Sequence, residues 1–313
     1  MTNVLVTGGA GFIGSTLVDA LRRREDCMRI VVVDSLITGR QRNLAHAAGV
    51  EFHECDIRDY PALLPLLKGI DVVFHQAAIP SVPRSISEPE LCFGVNVDGT
   101  FNVIRAAVEQ KVRRIVFASS SAVYGDSPAL PKTEDMRPEP LSPYGAHKLA
   151  GEHFLRAAQE SYGIETVSLR YFNVFGPRQD PSSAYSGVLS IFANRVLSGQ
   201  PPIINGDGEQ TRDFIFVEDV ARLNILAATV AAASGGVFNG GCGQGISLNR
   251  AWNAIQAAAN AELAPKRGPE RLGDVRHSRA DISAAREVLG FTPQVEFEEG
   301  VRRTLAWFAE QRK

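Results

Sequence analysis

Tyr144 and Lys148 are the two residues whose types and spacing best suit proton transfer. They lie in the segment SPYGAHK, and a separation of four residues places their side chains on one face of a helix. An isolated tyrosine ionises near pH ~10 and is a poor base at neutral pH. A neighbouring ammonium group favours the phenolate and lowers this pKa, so the pair predicts a tyrosine base assisted by a lysine.

Ser120 is the third member of this candidate catalytic set. It lies in FASSSA, at the end of a predicted strand, where a hydroxyl can share the proton between Tyr144 and a bound substrate. A tyrosine and a lysine four residues apart also occur on ordinary amphipathic helices, and the combination with Ser120 and a dinucleotide loop favours catalysis. His147 is expected on the exposed face of the helix, and His75 is expected to pack or to orient a loop.

A glycine-rich loop near the N-terminus, GGAGFIG over residues 8–14, predicts a dinucleotide site. Gly8, Gly11 and Gly14 permit a tight turn, a close backbone approach to a pyrophosphate and close packing of the next helix on its strand. The N-terminus of that helix adds N–H groups and a partial positive charge. A cationic nicotinamide bound here would also favour the phenolate of Tyr144.

Asp34 indicates which dinucleotide is bound. It ends the second predicted strand, at the distance from the glycines where a carboxylate accepts hydrogen bonds from the adenosine ribose. Its charge repels the extra phosphate of NADP, so NAD is expected, although Arg40 and Arg42 leave NADP open. Asp56 and Ile57, after the third strand, are expected beside the adenine.

The elements that must position these residues alternate in a regular way through the first half of the chain. The predicted strands are Asn3–Thr7, Arg29–Val33, Glu51–Glu54, Asp71–His75, Arg114–Ser119 and Thr166–Arg170. The predicted helices are Ile13–Arg24, Pro61–Leu67, Glu90–Glu109 and Tyr144–Tyr162. This alternation predicts an α/β fold with a doubly wound parallel (Rossmann) sheet.

The second half of the chain has a different rhythm, beginning with a loop over residues 173–187 that is rich in Gly, Pro, Ser and Asn. It continues with predicted helices at Val188–Ser198, Val220–Ala233, Leu248–Ala261 and Glu299–Glu310, and strands at Asp213–Val217 and Gly236–Asn239. The last strand is expected to return to the large sheet. We therefore predict an NAD-binding domain of residues 1–170 plus about 214–240, and a smaller α/β substrate-binding domain of 171–213 plus 241–313.

The bulk composition limits the possible partners. The 313 residues include 44% hydrophobic and 22% charged residues, and the formal net charge is −2, which indicates neither nucleic acid nor an anionic membrane as a partner. The N-terminus enters a strand without a basic leader, and no apolar run is long enough to span a membrane, so a cytoplasmic protein is expected. The four cysteines form no CxxC pair and are expected to be buried thiols; no metal site is predicted.

These segments together resemble the extended short-chain dehydrogenase/reductases and, within them, the UDP-sugar 4-epimerases. The motifs that carry the resemblance are TGGAGFIG (7–14), DSLITGRQRNL (34–44), HQAA (75–78), ASSSAVYGD (118–126), SPYGAHK (142–148), RYFNVFGPRQDP (170–181), GDGEQTRDFIFVEDV (206–220) and RLGDVRHSRADIS (271–283). HQAAIPSVPRS (75–85) and GDVRHS (273–278) look most similar to the bacterial enzymes that interconvert UDP-GlcNAc and UDP-GalNAc.

The resemblance implies chemistry at C4 of a UDP-hexose. Tyr144 removes the proton of the 4-hydroxyl while NAD takes a hydride, and the 4-keto sugar turns over before the hydride returns to the opposite face. Ser120 occupies the position of the family's catalytic Ser or Thr. The related dehydratases carry an Asp-Glu pair just after this position, and UDP-glucuronate decarboxylases carry a Glu. This chain has Ser121, Ala122 and Val123 there, so epimerisation is favoured over elimination.

The resemblance also implies the binding residues. The cofactor contacts are expected at Gly8, Gly11, Phe12, Ile13, Gly14, Asp34, Asp56, Ile57, Gln76, Tyr144 and Lys148. The substrate contacts are expected at Ser120, Tyr144, Asn173, Val188, Leu189, Arg212, Arg271, Asp274 and Ser278. Arg212 and Arg271 are assigned to the diphosphate, because planar guanidinium groups match phosphate geometry.

Ser278 is expected beside the 2-substituent of the hexose. A bulky aromatic side chain at this position of the family excludes an N-acetyl group, whereas serine leaves room for one. We therefore expect UDP-GlcNAc and UDP-GalNAc to be accepted along with UDP-glucose and UDP-galactose.

Two alternatives to this assignment stay open at this point. Another sugar-nucleotide enzyme of the same fold, such as a UDP-glucuronate 4-epimerase, would want an extra cation near the sugar, and Arg84 in SVPRS could supply it. A non-catalytic NAD-binding protein would be expected to lack Tyr144 or Lys148, and both are present.

The resemblance further implies a homodimer in which helices Glu90–Glu109 and Tyr144–Tyr162 form a four-helix bundle with their partners.

Overall fold

The computed structural model describes residues 2–180, 187–269 and 276–312. Its strands are β1 (Asn3–Thr7), β2 (Arg29–Asp34), β3 (Val50–Glu54), β4 (Val72–His75), β5 (Arg114–Ser120), β6 (Glu165–Tyr171), β7 (Asn173–Phe175), β8 (Ile203–Asn205), β9 (Thr211–Arg212), β10 (Phe214–Phe216), β11 (Val237–Gly240), β12 (Ile246–Ser247) and β13 (Lys266–Gly268). Its α-helices are α1 (Phe12–Arg22), α2 (Tyr60–Leu63), α3 (Val82–Ser87), α4 (Pro89–Phe93), α5 (Thr100–Glu109), α6 (Pro143–Tyr162), α7 (Val188–Leu197), α8 (Val217–Thr229), α9 (Leu248–Ala259), α10 (Ser283–Leu289) and α11 (Phe297–Glu310).

A seven-stranded parallel sheet forms the centre of the fold, with the strand order β11-β6-β5-β4-β1-β2-β3. The order along the chain reverses between β1 and β4. A crevice at the carboxyl ends of the strands opens at such a reversal, which is where ligands bind in open α/β sheets. The predicted Rossmann-type sheet is confirmed, and so is the late strand that returns to its edge.

Alternating side chains of the central strands supply the cores on the two faces of the sheet. Val4 and Val6 of β1 pack into one buried cluster, and Leu5 packs into the cluster on the opposite face. Successive side chains of a strand point to opposite faces, so a strand that is covered on both sides must be apolar throughout. This explains why runs such as VVFH in β4 show no polar alternation.

The predicted helix Glu90–Glu109 differs from the structure in its interior. It is divided into α4, a π-helical turn at Gly94–Gly99, and α5. Asn96 within the turn accepts a hydrogen bond from the N–H of Ile79 at 2.8 Å and donates one to the carbonyl of Ile79 at 3.2 Å. The turn therefore ties this helix to the segment that follows β4, a long-range contact that helical periodicity does not reveal.

Three two-stranded ladders support the smaller part of the molecule: β7 with β10, β9 with β12, and β8 with β13. The strand predicted at Asp213–Val217 is β10, whereas the other five of these strands lie in stretches that the sequence analysis left without strands. They are two or three residues long, too short for an alternating pattern. Among the helices in the described ranges, none has the length and apolarity needed to cross a membrane.

Candidate active site

The glycine loop packs so closely between β1 and α1 that side chains are excluded. Gly8 has φ +68, and a Cβ atom on Gly14 would lie 2.2 Å from the carbonyl oxygen of Gly8. The N–H of Gly8 donates to the carbonyl of Val33 at 2.7 Å, which fixes the loop against β2. Gly11 precedes α1, and no side chain caps this helix N-terminus. The loop therefore has the form that an incoming pyrophosphate requires.

One cavity at the reversal of strand order brings together the residues predicted to bind the cofactor. The predicted residues that line it are Gly8, Gly11, Phe12, Ile13, Gly14, Asp34, Asp56, Ile57, Gln76, Tyr144 and Lys148. They come from the ends of β1, β2, β3 and β4 and from α6, which are separated in sequence and joined only by the sheet. The cavity thus connects the glycine loop directly with the proton-transfer pair.

Asp34 is buried at the end of β2, and both of its carboxylate oxygens accept backbone hydrogen bonds. Oδ2 accepts from Ala10 N at 2.9 Å and Oδ1 from Leu36 N at 2.8 Å. Burial raises its pKa above the usual value, while these two donors act in the opposite direction. A Cβ on Gly39 would lie 2.6 Å from Oδ1, so the carboxylate is enclosed on that side. Arg40 is directed to Asp180, at 3.4 Å.

Asp56 lines the cavity but is also paired with its neighbour Arg58. Nη2 of Arg58 lies 2.6 Å from Oδ2, and the backbone N–H of Arg58 donates to Oδ1 at 2.9 Å. The pKa of Asp56 is lowered mainly by the side-chain hydrogen bonds from Arg58. Arg58 therefore compensates the charge of Asp56, a pairing that was not predicted from the sequence.

Tyr144 and Lys148 line the cavity, and Ser120 ends the neighbouring strand β5. Helix α6 begins at Pro143, where the hydroxyl of Ser142 accepts from the N–H of Gly145 at 3.1 Å and caps the helix. Lys148 is buried, and its Nζ donates to the carbonyl of Ala118 at 2.8 Å and lies 6.0 Å from the ring centroid of Tyr144. The hydroxyl of Ser120 accepts from the N–H of Ala122 at 3.2 Å, and the interaction of Ser120 with Tyr144 acts to lower the tyrosine pKa.

The sequence predicted a lowered pKa for Tyr144. With the protein groups alone, this prediction is wrong. Burial raises the pKa of Tyr144 to about 12, and the interaction with Ser120 opposes this only in part. Burial also lowers the pKa of Lys148 to about 7, because the ammonium loses its hydration. Desolvation thus acts on both members and favours the neutral form of each.

His75 is buried at the end of β4, where it contacts neighbouring segments as expected. Its Nδ1 lies 2.7 Å from the hydroxyl of Thr7, and its Nε2 lies 2.9 Å from that of Thr100. The Thr100 hydroxyl donates to the carbonyl of Asn96, so it accepts from Nε2–H, and the ring is neutral with Nδ1 as acceptor. Burial, and secondly the charge of Lys148, lower the pKa of His75 to about 3.

His147 is buried, which differs from the exposed position expected for it. Its ring makes an edge contact with Phe93, with the centroids 5.8 Å apart. Within the described residues its Nδ1 atom has no hydrogen-bond partner. The π-helical turn and α4 cover this face of α6, and a helical wheel drawn for α6 alone could not show that.

Tyr171 is a cavity residue that the sequence analysis did not single out, although it belongs to the RYFNVFGPRQDP segment. Its hydroxyl lies 3.1 Å from Oε1 of Gln76 and 2.7 Å from Nδ2 of Asn224. Gln76 also donates to Asn224 Oδ1 at 2.9 Å. These contacts hold Gln76 just after β4. The position of Tyr171 at the end of strand β6 is the feature of the sequence from which it could have been predicted.

The predicted substrate residues are distributed over short segments beyond the cavity. Asn173 begins β7, Arg212 ends β9, and the backbone of Ser278 donates to the carbonyl of Thr211 at 3.1 Å. These contacts bring Asn173, Arg212 and Ser278 to neighbouring positions of the backbone. Arg271 and Asp274 lie outside the described residues.

Val188 and Leu189 open helix α7. Val188 is partly exposed, whereas Leu189 is buried in the apolar cluster that also contains Phe214 and Trp252. Of the pair predicted to flank the uracil, Val188 is therefore the one whose side chain is accessible.

The whole chain is similar to known sugar-nucleotide enzymes. Residues 4–241 match the family model described as the NAD dependent epimerase/dehydratase family. The UDP-glucose 4-epimerase of Mycolicibacterium smegmatis is 43% identical over 310 residues, 97% of each chain. The UDP-N-acetylglucosamine 4-epimerase of Methanobrevibacter ruminantium, solved with UDP-N-acetylmuramic acid, is 41% identical with a TM-score of 0.94, covering 99% of this chain and 98% of that one. The Thermus thermophilus UDP-glucose 4-epimerase, solved with NAD, is 39% identical with a TM-score of 0.89, covering 98% and 99%. The similarity therefore extends over both the cofactor cavity and the segments beyond it.

Proposed function

The chain belongs to the NAD dependent epimerase/dehydratase family, and we propose that it is an NAD-dependent 4-epimerase of UDP-hexoses. The observation that carries this proposal is that Tyr144 and the buried Lys148 line the same cavity as the glycine loop, with Ser120 at the end of the neighbouring strand β5. Residues 121–124, which follow Ser120 as a 3₁₀ turn, contain no carboxylate. An elimination needs a further acid and base, whereas epimerisation at C4 needs only one reversible proton transfer.

The roles of the chain's own residues follow from their positions. Tyr144 holds the proton of the sugar 4-hydroxyl, Ser120 shares that proton between Tyr144 and the sugar, and Lys148 in its ammonium form favours the phenolate. The residues of the cavity would hold NAD, which would supply the acceptor and donor of the C4 hydride. Asp34 supports NAD over NADP, because its enclosed carboxylate would meet the additional phosphate.

We assign the nucleotide and the sugar to the segments around β7 and β9. Arg212 together with Arg271 is proposed to bind the diphosphate, Asn173 the diphosphate or sugar, Asp274 the ribose and Ser278 the 2-substituent. Val188 is proposed to flank the uracil with its side chain, and the buried Leu189 could do so only through its backbone. Two enzymes similar over the full chain support both substrate pairs, since one is named for UDP-glucose and the other for UDP-N-acetylglucosamine. We therefore propose that acetylated and non-acetylated UDP-hexoses are both accepted.

The reaction is tested by incubating the purified protein, without added NAD, with UDP-glucose, UDP-galactose, UDP-GlcNAc and UDP-GalNAc in turn. Chromatography should show interconversion of each pair of C4 epimers, with no net NADH in the absorbance spectrum. The variant Ser278→Tyr should lose the acetylated pair and keep the other. Formation of a 4-keto-6-deoxy sugar would contradict the proposal, and a wild type inert towards UDP-GalNAc would contradict the pocket assignment.

A uronic acid substrate is the rival that the same experiment resolves. The cation considered for it, Arg84, is already bound to Glu88 by two hydrogen bonds of 2.8 Å. Its charge is therefore compensated on α3, which favours a neutral hexose. Adding UDP-glucuronate to the panel tests this directly, because preferred turnover of that sugar would reverse the assignment.

The proposed homodimer is supported by exposed aromatic side chains on the two helices expected to form it. Phe93, Phe101 and Phe154 are 49%, 51% and 36% exposed, and Phe101 contacts Phe154 edge to face at 6.0 Å. Clustered exposed aromatic residues are typical of protein interfaces. Light scattering behind a sizing column should give twice the monomer mass, and a monomeric mass would contradict the dimer.

The proposed division into two domains is supported by the separate apolar clusters. Ile215 of β10 packs with the large sheet, while Phe214 and Phe216 pack with α7, α9 and α11.

A reducing, cytoplasmic location is proposed because Cys27, Cys55, Cys92 and Cys242 are all unpaired thiols.

A further inference from the structure

Asp213 is a fully buried carboxylate that accepts hydrogen bonds from two distant segments. Its Oδ1 accepts from the N–H of Cys242 at 2.7 Å, and its Oδ2 accepts from Gly243 at 2.9 Å and from Ala280 at 3.0 Å. The first two donors lie in the turn after β11, and the third lies in the segment that precedes α10. No cation pairs with this carboxylate among the described residues, so backbone N–H groups compensate its charge.

The main chain of Asp213 adds a third connection. Its carbonyl accepts from the N–H of Asn173 at 2.9 Å, which joins the start of β7 to the start of β10. Arg212 is the preceding residue, and Ser278 lies two residues before Ala280. The one residue thus joins the segments that carry Asn173, Arg212 and Ser278, the three proposed substrate contacts in the described chain.

The packing around Asp213 leaves little room for adjustment. A Cβ on Gly241 would lie 2.7 Å from Cβ of Ala280 and 3.1 Å from Oδ2 of Asp213. The turn after β11 therefore approaches as closely as glycine permits. A shift of the carboxylate would move the turn, the Ala280 segment, or both.

We infer that Asp213 is a positioning residue that preorganises Arg212 and the Ser278 segment for the nucleotide sugar. The inference rests on the proposed function, because it takes Arg212 and Ser278 as substrate contacts. Asp213 itself is enclosed by backbone and touches no substrate. Its effect is to hold the two segments in their binding positions before the ligand arrives, so that binding does not have to order them.

Asp219 provides a matched control for this inference. It is also buried, and its carboxylate accepts from Gln294 N at 3.0 Å and Val295 N at 3.0 Å. It further pairs with Arg222 at 2.9 Å. Asp219 thus fastens α8 to the segment before α11 by the same kind of bond, but that segment carries none of the proposed substrate contacts.

The experiment compares Asp213→Asn with Asp219→Asn in the full-length protein. An asparagine at 213 must direct its NH₂ group at a backbone N–H, so at least one connection is lost. We expect the KM for UDP-glucose and the Kd for UDP to rise about tenfold or more, with kcat and NAD content close to wild type. Asp219→Asn should lower the melting temperature and leave KM and Kd unchanged.

A second pair of variants covers the case in which Asp213→Asn does not fold. Gly241→Ala pushes the turn against Ala280 and should also raise KM and the Kd for UDP. Gly245→Ala, in the same stretch, is the control, because its Cβ would make only an ordinary contact, 3.4 Å from Thr211 Oγ1. Equal effects of Gly241→Ala and Gly245→Ala would overturn the inference.

The positioning role of Asp213 and the proposed function would fail in different ways. If Asp213→Asn lowers the melting temperature but leaves KM and the UDP Kd unchanged, Asp213 is only structural and the inference is overturned, while the epimerase remains. If wild type binds UDP but epimerises no UDP-hexose, the proposed function fails. Weaker UDP binding by Asp213→Asn would still support the positioning role in that event.

Discussion

The cofactor side and the substrate side of this molecule are built in contrasting ways. The cofactor cavity lies across the ends of adjacent parallel strands, and each strand end contributes a short contiguous segment, such as residues 8–14 after β1. The proposed substrate side consists of ladders two or three residues long, and single buried groups such as Asp213 join its distant segments.

This contrast predicts that the proposed substrate side can vary while the cofactor side stays fixed. A seven-stranded sheet holds the cofactor residues cooperatively, so that the loss of one contact leaves the others in place. The proposed substrate segments depend on few contacts, so a substitution in one segment should affect the binding of a single part of the ligand. Substitutions on the two sides should therefore produce separable effects on chemistry, cofactor retention and substrate affinity.

The largest effect is expected at Tyr144. Tyr144→Phe removes the proton-carrying hydroxyl and should lower kcat by ~10²–10⁴-fold for every substrate, with NAD content and KM nearly unchanged. Single-turnover assays and the absorbance of bound NAD give these quantities. Tyr162→Phe, at the exposed end of the same helix, is the control and should behave as wild type. A substrate-dependent loss would contradict the separation of the two sides.

Lys148 sharpens the same comparison through pH. With the pKa of Tyr144 at about 12 and that of Lys148 at about 7, the first proton is lost near pH 7 and comes from Lys148; transfer of the Tyr144 proton to the neutral amine then gives the phenolate–ammonium form. We expect kcat to fall as the pH drops below 7, because the pair then holds both protons.

The test of this pH dependence is the variant Lys148→Met. Without the ammonium, the rise in kcat should move to distinctly higher pH, towards the value of Tyr144 alone. Lys68→Met, an exposed lysine of the same domain, should retain the wild-type profile. An unchanged profile in Lys148→Met would show that the pair does not set the pH dependence.

Arg212 tests the substrate side. Arg212→Leu should raise the KM for all UDP-hexoses by ~10–100-fold, as expected for the loss of charge-assisted hydrogen bonds to phosphate, with NAD content unchanged. Arg250→Leu is the control, since Arg250 forms only an exposed pair with Glu298 at 2.8 Å. Loss of NAD from Arg212→Leu would show that the two sides are coupled.

The smallest expected effect concerns the stability of the cofactor side at low pH. The folded protein lowers the pKa of His75 from 6.5 to about 3, so below pH 6.5 the unfolded chain binds a proton that the folded chain excludes. The free energy of unfolding should therefore decrease as the pH falls, by about 2 kcal/mol at pH ~5 from this residue alone.

The contribution of His75 is isolated by comparing urea unfolding at two pH values in wild type and His75→Gln. The variant should be less stable at neutral pH, because it disturbs the bonds to Thr7 and Thr100, yet it should lose less stability on acidification. His53→Gln, on the edge strand β3, should keep the wild-type pH dependence. Equal acid sensitivity in wild type and His75→Gln would rule out His75 as the titrating group.

The main sheet and the cofactor residues could be predicted because each depends on local sequence. Apolar strands, the GGAGFIG loop and the SPYGAHK helix are short patterns with one physical interpretation, and they meet because parallel strands end at one edge. The π-helical turn, the burial of His147 and the short ladders could not be predicted, because each depends on a contact with a segment far away in the chain.

The sequence by itself determined the residue types, and hence the available chemistry: a tyrosine and a lysine on one helix face, a serine at a strand end, and no acid in residues 121–124 that follow it. Only the tertiary structure decided the electrostatic environment of these groups. Burial raises the pKa of Tyr144 and lowers that of Lys148, which is opposite to what an exposed ion pair would produce. Desolvation depends on everything that surrounds a group, and for this reason no local pattern contains it.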